Sequence, residues 1–161
     1  VRRTETWAED LDRFFAHAMT RPFVWGEWDC CLAACEAIHL MTLVDPAAPF
    51  RGTYRSAMGA RHVCQSYCDG SLEAMATLVA AEAGLEEVPV ARARRGDLAL
   101  VRLPEGQRAL FDVALGIVDL TGRRVGVPRH PAGMTFVPMP VGRPGQAEAG
   151  DGVGRAWKVG A

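Results

Sequence analysis

At 161 residues, with a formal net charge of −1 and five cysteines, the chain is long enough to bury a core of its own and is expected to be a single domain spanning 1–161. Its arginines and acids are interspersed, so electrostatics offers no case for nucleic acid or an anionic membrane surface. No apolar run is long enough to span a bilayer and the amphipathic N-terminus has no signal-peptide pattern. The expectation is a protein that acts where it is made, or leaves within something larger.

In chain order, Thr6 and Glu9 have capping-box spacing. After them Trp7, Leu11, Phe14, Phe15 and Ala18 recur at helical period, predicting a first helix that ends by Arg21-Pro22. A Gly-containing, aromatic-rich loop, Phe23 to Trp28, runs into Asp29, a good N-cap. From Cys30 an alanine-rich helix extends to about Leu43, closed by Asp45-Pro46. Arg51-Gly52-Thr53-Tyr54 reads as a loop. Helices from about Ser56 to Tyr67 and from Ser71 to Gly84 follow. Beyond Gly96-Asp97 the pattern turns strand-like: Leu98–Leu103, Ala109–Leu120, Arg123–Val127 after a Thr121-Gly122 turn, and Met134–Pro138. Residues 138–154, rich in Gly and Pro, read as a loose loop, and Arg155–Val159 closes the chain with Trp157 as an anchor. Helices first and an antiparallel sheet after is an α+β order.

Cys30 is the candidate nucleophile. It falls in the first turn of its helix, where unpaired N–H groups and the helix dipole favour a thiolate. The other four cysteines form two x₃-spaced pairs, Cys31 with Cys35 and Cys64 with Cys68, each pair on one helical face. Four such thiols are a candidate cage for an iron–sulfur cluster or zinc. The competing reading is plain core thiols, since tight C-x₂-C knuckles are absent and free cysteine is among the most buried residue types. An odd number without an export signal argues against a disulfide framework.

A thiol on a leading helix facing a sheet is how a papain-like site is built, with the imidazole supplied from a strand. Trp28-Asp29-Cys30, then Gly96-Asp97-Leu98, then Ala114-Leu115-Gly116-Ile117-Val118 resemble, in order, the motifs of the NlpC-type cell-wall peptidases. A closer resemblance is to phage and prophage tail proteins of that fold. It is carried by Trp25-Gly26 with Asp29-Cys30, Asp45-Pro46-Ala47-Ala48, Arg51-Gly52-x-Tyr54, Gly59-Ala60-Arg61 and Ala156-Trp157. The resemblance implies a papain-like NlpC-type fold, N-terminal helices packed on a C-terminal antiparallel sheet. It also marks a departure: the strand position where the peptidases carry histidine is Ala114 here, and the next strand offers only Val125-Gly126-Val127.

No other histidine is an obvious substitute. His39, nine residues past Cys30 on the same helix, falls on the opposite face about 13 Å away. His17 and His62 sit on other helices, and His130, between Arg129 and Pro131, is the one candidate base. Asp112 is near the right strand, but a carboxylate repels the thiolate it would have to create. Asp29 has a sufficient role as a helix cap. Trp25 and Trp28 are candidates to line a substrate groove, but the expectation is that they pack the helix entrance or meet a neighbouring subunit.

Three functions follow. The first, carried forward as the expectation, is a structural component of a phage or phage-derived tail in the distal hub region. It would be made in the host cytoplasm, reside in the virion, and bind other tail-tip or hub proteins with Cys30 a vestigial nucleophile. The second is an active cysteine peptidase or amidase cutting host peptidoglycan during genome delivery, with Cys30 and His130. The third is a metal-stabilised interaction module on Cys31, Cys35, Cys64 and Cys68.

Overall fold

The computed structural model describes residues 1–106, 111–140 and 152–160. Among these, four helices come first: α1 (Trp7–Ala18), α2 (Cys30–Thr42), α3 (Ala57–Tyr67) and α4 (Leu72–Glu82). Six strands follow: β1 (Glu86–Val88), β2 (Leu98–Arg102), β3 (Val113–Val118), β4 (Arg124–Pro128), β5 (Met134–Pro138) and β6 (Gly152–Lys158). A 3₁₀ turn, Val90–Arg92, separates β1 from β2. The strands form one antiparallel sheet in the order β1-β6-β2-β3-β4-β5. The protein is α+β, four N-terminal helices packed on a six-stranded antiparallel sheet.

Local chemistry explains most helix starts. Asp29, Ser56 and Ser71 are extended N-cap residues whose side chains accept from the backbone N–H three residues on, opening α2, α3 and α4. The capping box expected at Thr6 does not form. Its side chain makes no cap bond and instead donates its hydroxyl to Asp10 across 2.8 Å.

α2 is the central helix. Its side chains are buried on nearly every face, and its small residues Ala33, Ala34 and Ala37 let it lie close against α1 and β3. Alternation on the strands then divides the interior in two. Leu98, Leu100, Val113, Leu115 and Ile117 belong to the core that includes the helices, whereas Val101, Ala114, Val118, Val125 and Val127 form a second apolar cluster. β5 and β6 touch although three strands lie between them in the sheet, so the sheet curls around that second cluster. Gly126 makes room for α1: a Cβ there would stand 2.6 Å from the Phe15 ring.

Asp97 ties the ends of the chain together. Its buried carboxylate accepts from the Arg94 N–H (2.8 Å), the Val159 N–H (3.0 Å) and the Arg3 guanidinium (3.1 Å). Arg3 also donates to the carbonyls of Val159 and Arg95. Trp157 is buried as expected of an anchor.

Several boundaries differ from the sequence reading. β1 and the 3₁₀ turn were not expected, because Glu86 and Glu87 are charged and the strand is three residues long; it exists through its pairing with β6. Gly152–Gly154 belong to β6 rather than to the expected Gly/Pro-rich loop of 138–154, because Gly152 and Val153 pair with Arg102 and Val101. The rest of that loop at 141–151, and the expected strand start at 109–110, lie outside the described residues.

Replacing Asp97 by alanine orphans two backbone donors and a guanidinium at a site 2% exposed. The expected loss is about 3 kcal/mol, measured by urea unfolding, with Asp97→Asn losing less because it keeps one acceptor oxygen.

Candidate functional site

The loop before α2 is shaped by one carboxylate. Asp29 is 1% exposed; its Oδ1 accepts from the Leu32 N–H (3.0 Å), and its Oδ2 accepts from the Gly26 N–H (3.0 Å) and the Tyr54 hydroxyl (2.6 Å). Gly26 has φ +81°, and a Cβ there would lie 1.8 Å from the Tyr54 carbonyl oxygen, so only glycine fits. The Gly26 carbonyl in turn accepts from the Gly52 N–H at 2.9 Å. Arg51 grips Asp45 with two hydrogen bonds, 3.0 and 3.2 Å, and the same carboxylate accepts from the Ala47 N–H. The Trp-Gly-x-x-Asp, Asp-Pro-Ala-Ala and Arg-Gly-x-Tyr segments, spread over residues 25–54, are thus one hydrogen-bonded unit. On the other side the Phe23 N–H donates to the Pro131 carbonyl (2.9 Å), fastening the loop to the β4–β5 turn.

This unit presents Cys30. It is the first residue of α2, half-buried, and packs against both apolar clusters. Beside it opens a cleft of about 530 Å³ with aromatic walls at Phe23, Trp25 and Phe111. Ala114 on β3 and Val127 on β4 line the same cleft, as does His130 at the β4–β5 turn. The two tryptophans part company: Trp28 is core, 5.6 Å from Phe14 and covered by the Arg21 guanidinium, whereas Trp25 is a cleft wall.

The electrostatics of the thiol differ from the sequence expectation. Burial, then the Asp29 charge and the neighbouring Cys31 thiol, push Cys30 well above the ordinary cysteine value. Polar interactions with the backbone of Leu115 and Cys31 pull the other way and are outweighed. The helix start does not yield a thiolate here. All four histidines are exposed, and among the described residues none hydrogen-bonds to Cys30. His130 is the one that shares its cleft, its ring 5.7 Å from that of Phe23. His17, His39 and His62 lie on α1, α2 and α3, and Asp112 is exposed.

The remaining thiols do not assemble as their spacing suggested. Its neighbour Cys35 and then burial push the Cys31 thiol well up. Cys64 is buried and pushed up to about 12, chiefly by burial. Cys68 lies one residue past α3 and donates its thiol to the Cys64 carbonyl, with Ser71 O 3.7 Å away. Among the described residues no three His, Cys, Asp or Glu side chains gather as a metal site requires.

Nothing in the sequence assigns Tyr54 a role beyond its place in Arg-Gly-x-Tyr: a phenol that reaches a helix cap 25 residues earlier leaves no local signature. Phe111 as a cleft wall has no local signature either. Burial first, then the Asp29 charge and hydrogen bond, keep the Tyr54 phenol protonated far above its ordinary value, as a donor must be.

Over residues 2–151 the chain matches the sequence model of a family described as a domain of unknown function (DUF6950), and it belongs to that family. No curated protein is a significant match. Among the described residues no helix is long and apolar enough to cross a membrane.

Tyr54→Phe removes a donor from a buried carboxylate and is expected to cost about 1.5–3 kcal/mol; Gly26→Ala, which adds a backbone collision, is expected to cost more. Both are read by denaturant unfolding. Burial alone raises the Asp45 carboxyl, but the bonds from Arg51 and the Ala47 N–H outweigh it and hold the group below its ordinary value. A lowered folded value stabilises above the unfolded pKa, near pH ~4, and the benefit is lost as pH falls through the folded one. Asp45→Asn is therefore expected to cost about 0.5 kcal/mol at neutral pH, since the pair is partly exposed, and nothing in strong acid.

Proposed function

We propose that this DUF6950 chain is a papain-like domain of the NlpC type that has lost hydrolysis and serves as a structural component of a phage or phage-derived tail, among tail-tip and hub proteins. The observation that carries the loss of hydrolysis is the lining of the cysteine cleft. Where the NlpC resemblance calls for a ring nitrogen, β3 presents the methyl group of Ala114, and Val127 on β4 adds another apolar wall.

Amide cleavage by a thiol needs a base to take its proton and an acid to return one to the leaving amine. Neither is bonded to Cys30, and burial keeps its proton in place. What remains is a rigid entrance built by Asp29, Gly26 and Tyr54 and a cleft with aromatic walls, both suited to contact rather than turnover. The tail location rests on the sequence resemblance, whose motif residues Gly26, Asp29, Asp45, Arg51 and Tyr54 form a single connected unit. A second reading, a peptidase acting on host peptidoglycan, is favoured by one observation: His130 and Cys30 line the same cleft.

Alkylation separates the two. Cys30 in the wild-type chain is expected to react with iodoacetamide at neutral pH no faster than an ordinary thiol, and peptidoglycan fragments are expected to stay intact. Ala114→His, which places an imidazole on the cleft wall, is expected to speed Cys30 alkylation about tenfold or more. Fragment cleavage abolished by Cys30→Ala and by His130→Ala would establish the peptidase instead. The location is tested by mass spectrometry of purified particles; absence of the chain from their tails overturns it.

A further inference from the structure

A second cleft, of about 760 Å³, lies at the other end of α2. It is bounded by the N-terminal segment, the 3₁₀ turn with the approach to β2, and the facing ends of β1 and β6. The Thr4 N–H donates to the Met41 carbonyl (2.8 Å), and a Cβ on Gly96 would touch the Met41 sulfur at 2.9 Å, so this cleft adjoins the last turn of α2. Cys30 is at the first turn, about 18 Å away along a 13-residue helix.

The cleft is positively charged in a chain that is not. Five cations line it, Arg3, Arg92, Arg94, Arg95 and Lys158, against the acids Glu5, Glu86 and Asp97. Arg3 and Asp97 pair with each other at 3.1 Å. That leaves four cations facing two carboxylates, and among the described residues none of the four is in an ion pair. The net charge of the whole chain is −1, so the surplus is local.

The surface is also held in shape. The Trp7 ring carries the Arg3 guanidinium at 4.0 Å and that of Arg95 at 5.2 Å. Arg94 is anchored by its own N–H on Asp97. Burial first, and repulsion from Arg95 as well, make the Arg3 cation less comfortable than usual, although Asp97 offsets part of this. An incoming anion would relieve that repulsion.

We propose that this cleft docks an extended acidic segment of a partner protein, with carboxylates meeting Arg92, Arg94, Arg95 and Lys158. Guanidinium groups match carboxylates in planar, two-bond geometry. The volume lies in the range of ligand clefts and far exceeds what one inorganic anion fills. Glu5 and Glu86 decide between partner classes. A polyphosphate or an anionic lipid surface brings continuous negative charge against both, whereas a peptide can set neutral or basic residues opposite them. Docking there depends neither on the state of Cys30 nor on residence in a tail.

The test uses fluorescence anisotropy with the full chain and a labelled peptide of alternating Glu and Ser, against its Gln counterpart. Binding of the Glu peptide alone is expected, weakening as salt rises. The double variant Arg92→Glu/Arg94→Glu is expected to weaken it more than tenfold, and Arg61→Glu on α3 to leave it unchanged. Circular dichroism checks that each variant folds, which the exposure of all three side chains favours. Absence of binding, equal loss in both variants, or preference for single-stranded DNA or phosphatidylglycerol vesicles over the Glu peptide would overturn the proposal.

Discussion

The Asp29 carboxylate is the constraint on which the first half of the molecule depends. It is buried, so leaving any of its partners out costs far more than a surface contact would. It collects the first turn of α2, the tight turn at Gly26 and the hydroxyl of Tyr54 into one node. The Gly26 carbonyl then takes the Gly52 N–H, so the loop before α2 and the loop before α3 are set against each other in a single way. Asp97 does the equivalent work at the far end, joining Arg3 and Val159 to the start of β2. Thr4, next to Arg3, donates its N–H to the Met41 carbonyl, so that second node adjoins the last turn of α2.

That arrangement also explains the state of the cysteine. A helix start stabilises a nearby anion by about 0.3–1 kcal/mol when exposed and up to about 2 when partly buried. Withdrawing a charge from water costs several kcal/mol unless a cation is supplied. Here the charge that acts most strongly on the thiol is Asp29 itself, of the same sign as a thiolate. Burial and the cap together overcome the dipole. Position 114 on the wall of the same cleft is a methyl group and supplies no such cation.

Features set by neighbours in sequence were legible. The cap at Asp29 and the helix starts at Ser56 and Ser71 depend on donors three residues away, and the structure has a side-chain cap at each. Thr6 had the same composition at the right spacing, yet its hydroxyl turned to Asp10, because Asp10 competes within the same turn. β5 falls on Met134–Pro138 as its alternation and flanking residues suggested. By contrast Gly152-Val153-Gly154 carries the composition of a loop and forms part of a strand, since pairing with β2 outweighs weak intrinsic preference. Cys68 shows the limit of spacing arguments: four residues after Cys64 is one helical face only while the helix lasts, and α3 ends at Tyr67.

By itself, then, the order of residues determined the α+β class, the start of the central helix at Cys30, and the lack of histidine at position 114. Each of these depends on periodicity, on a cap or on identity at one site, which are local properties. Only the tertiary structure decided that Tyr54 completes the Asp29 node, that burial keeps the Cys30 proton in place, and that Arg92, Arg94, Arg95 and Lys158 share a cleft. Those are consequences of which distant segments are packed together, and solvent exclusion and summed charge have no counterpart along a one-dimensional chain.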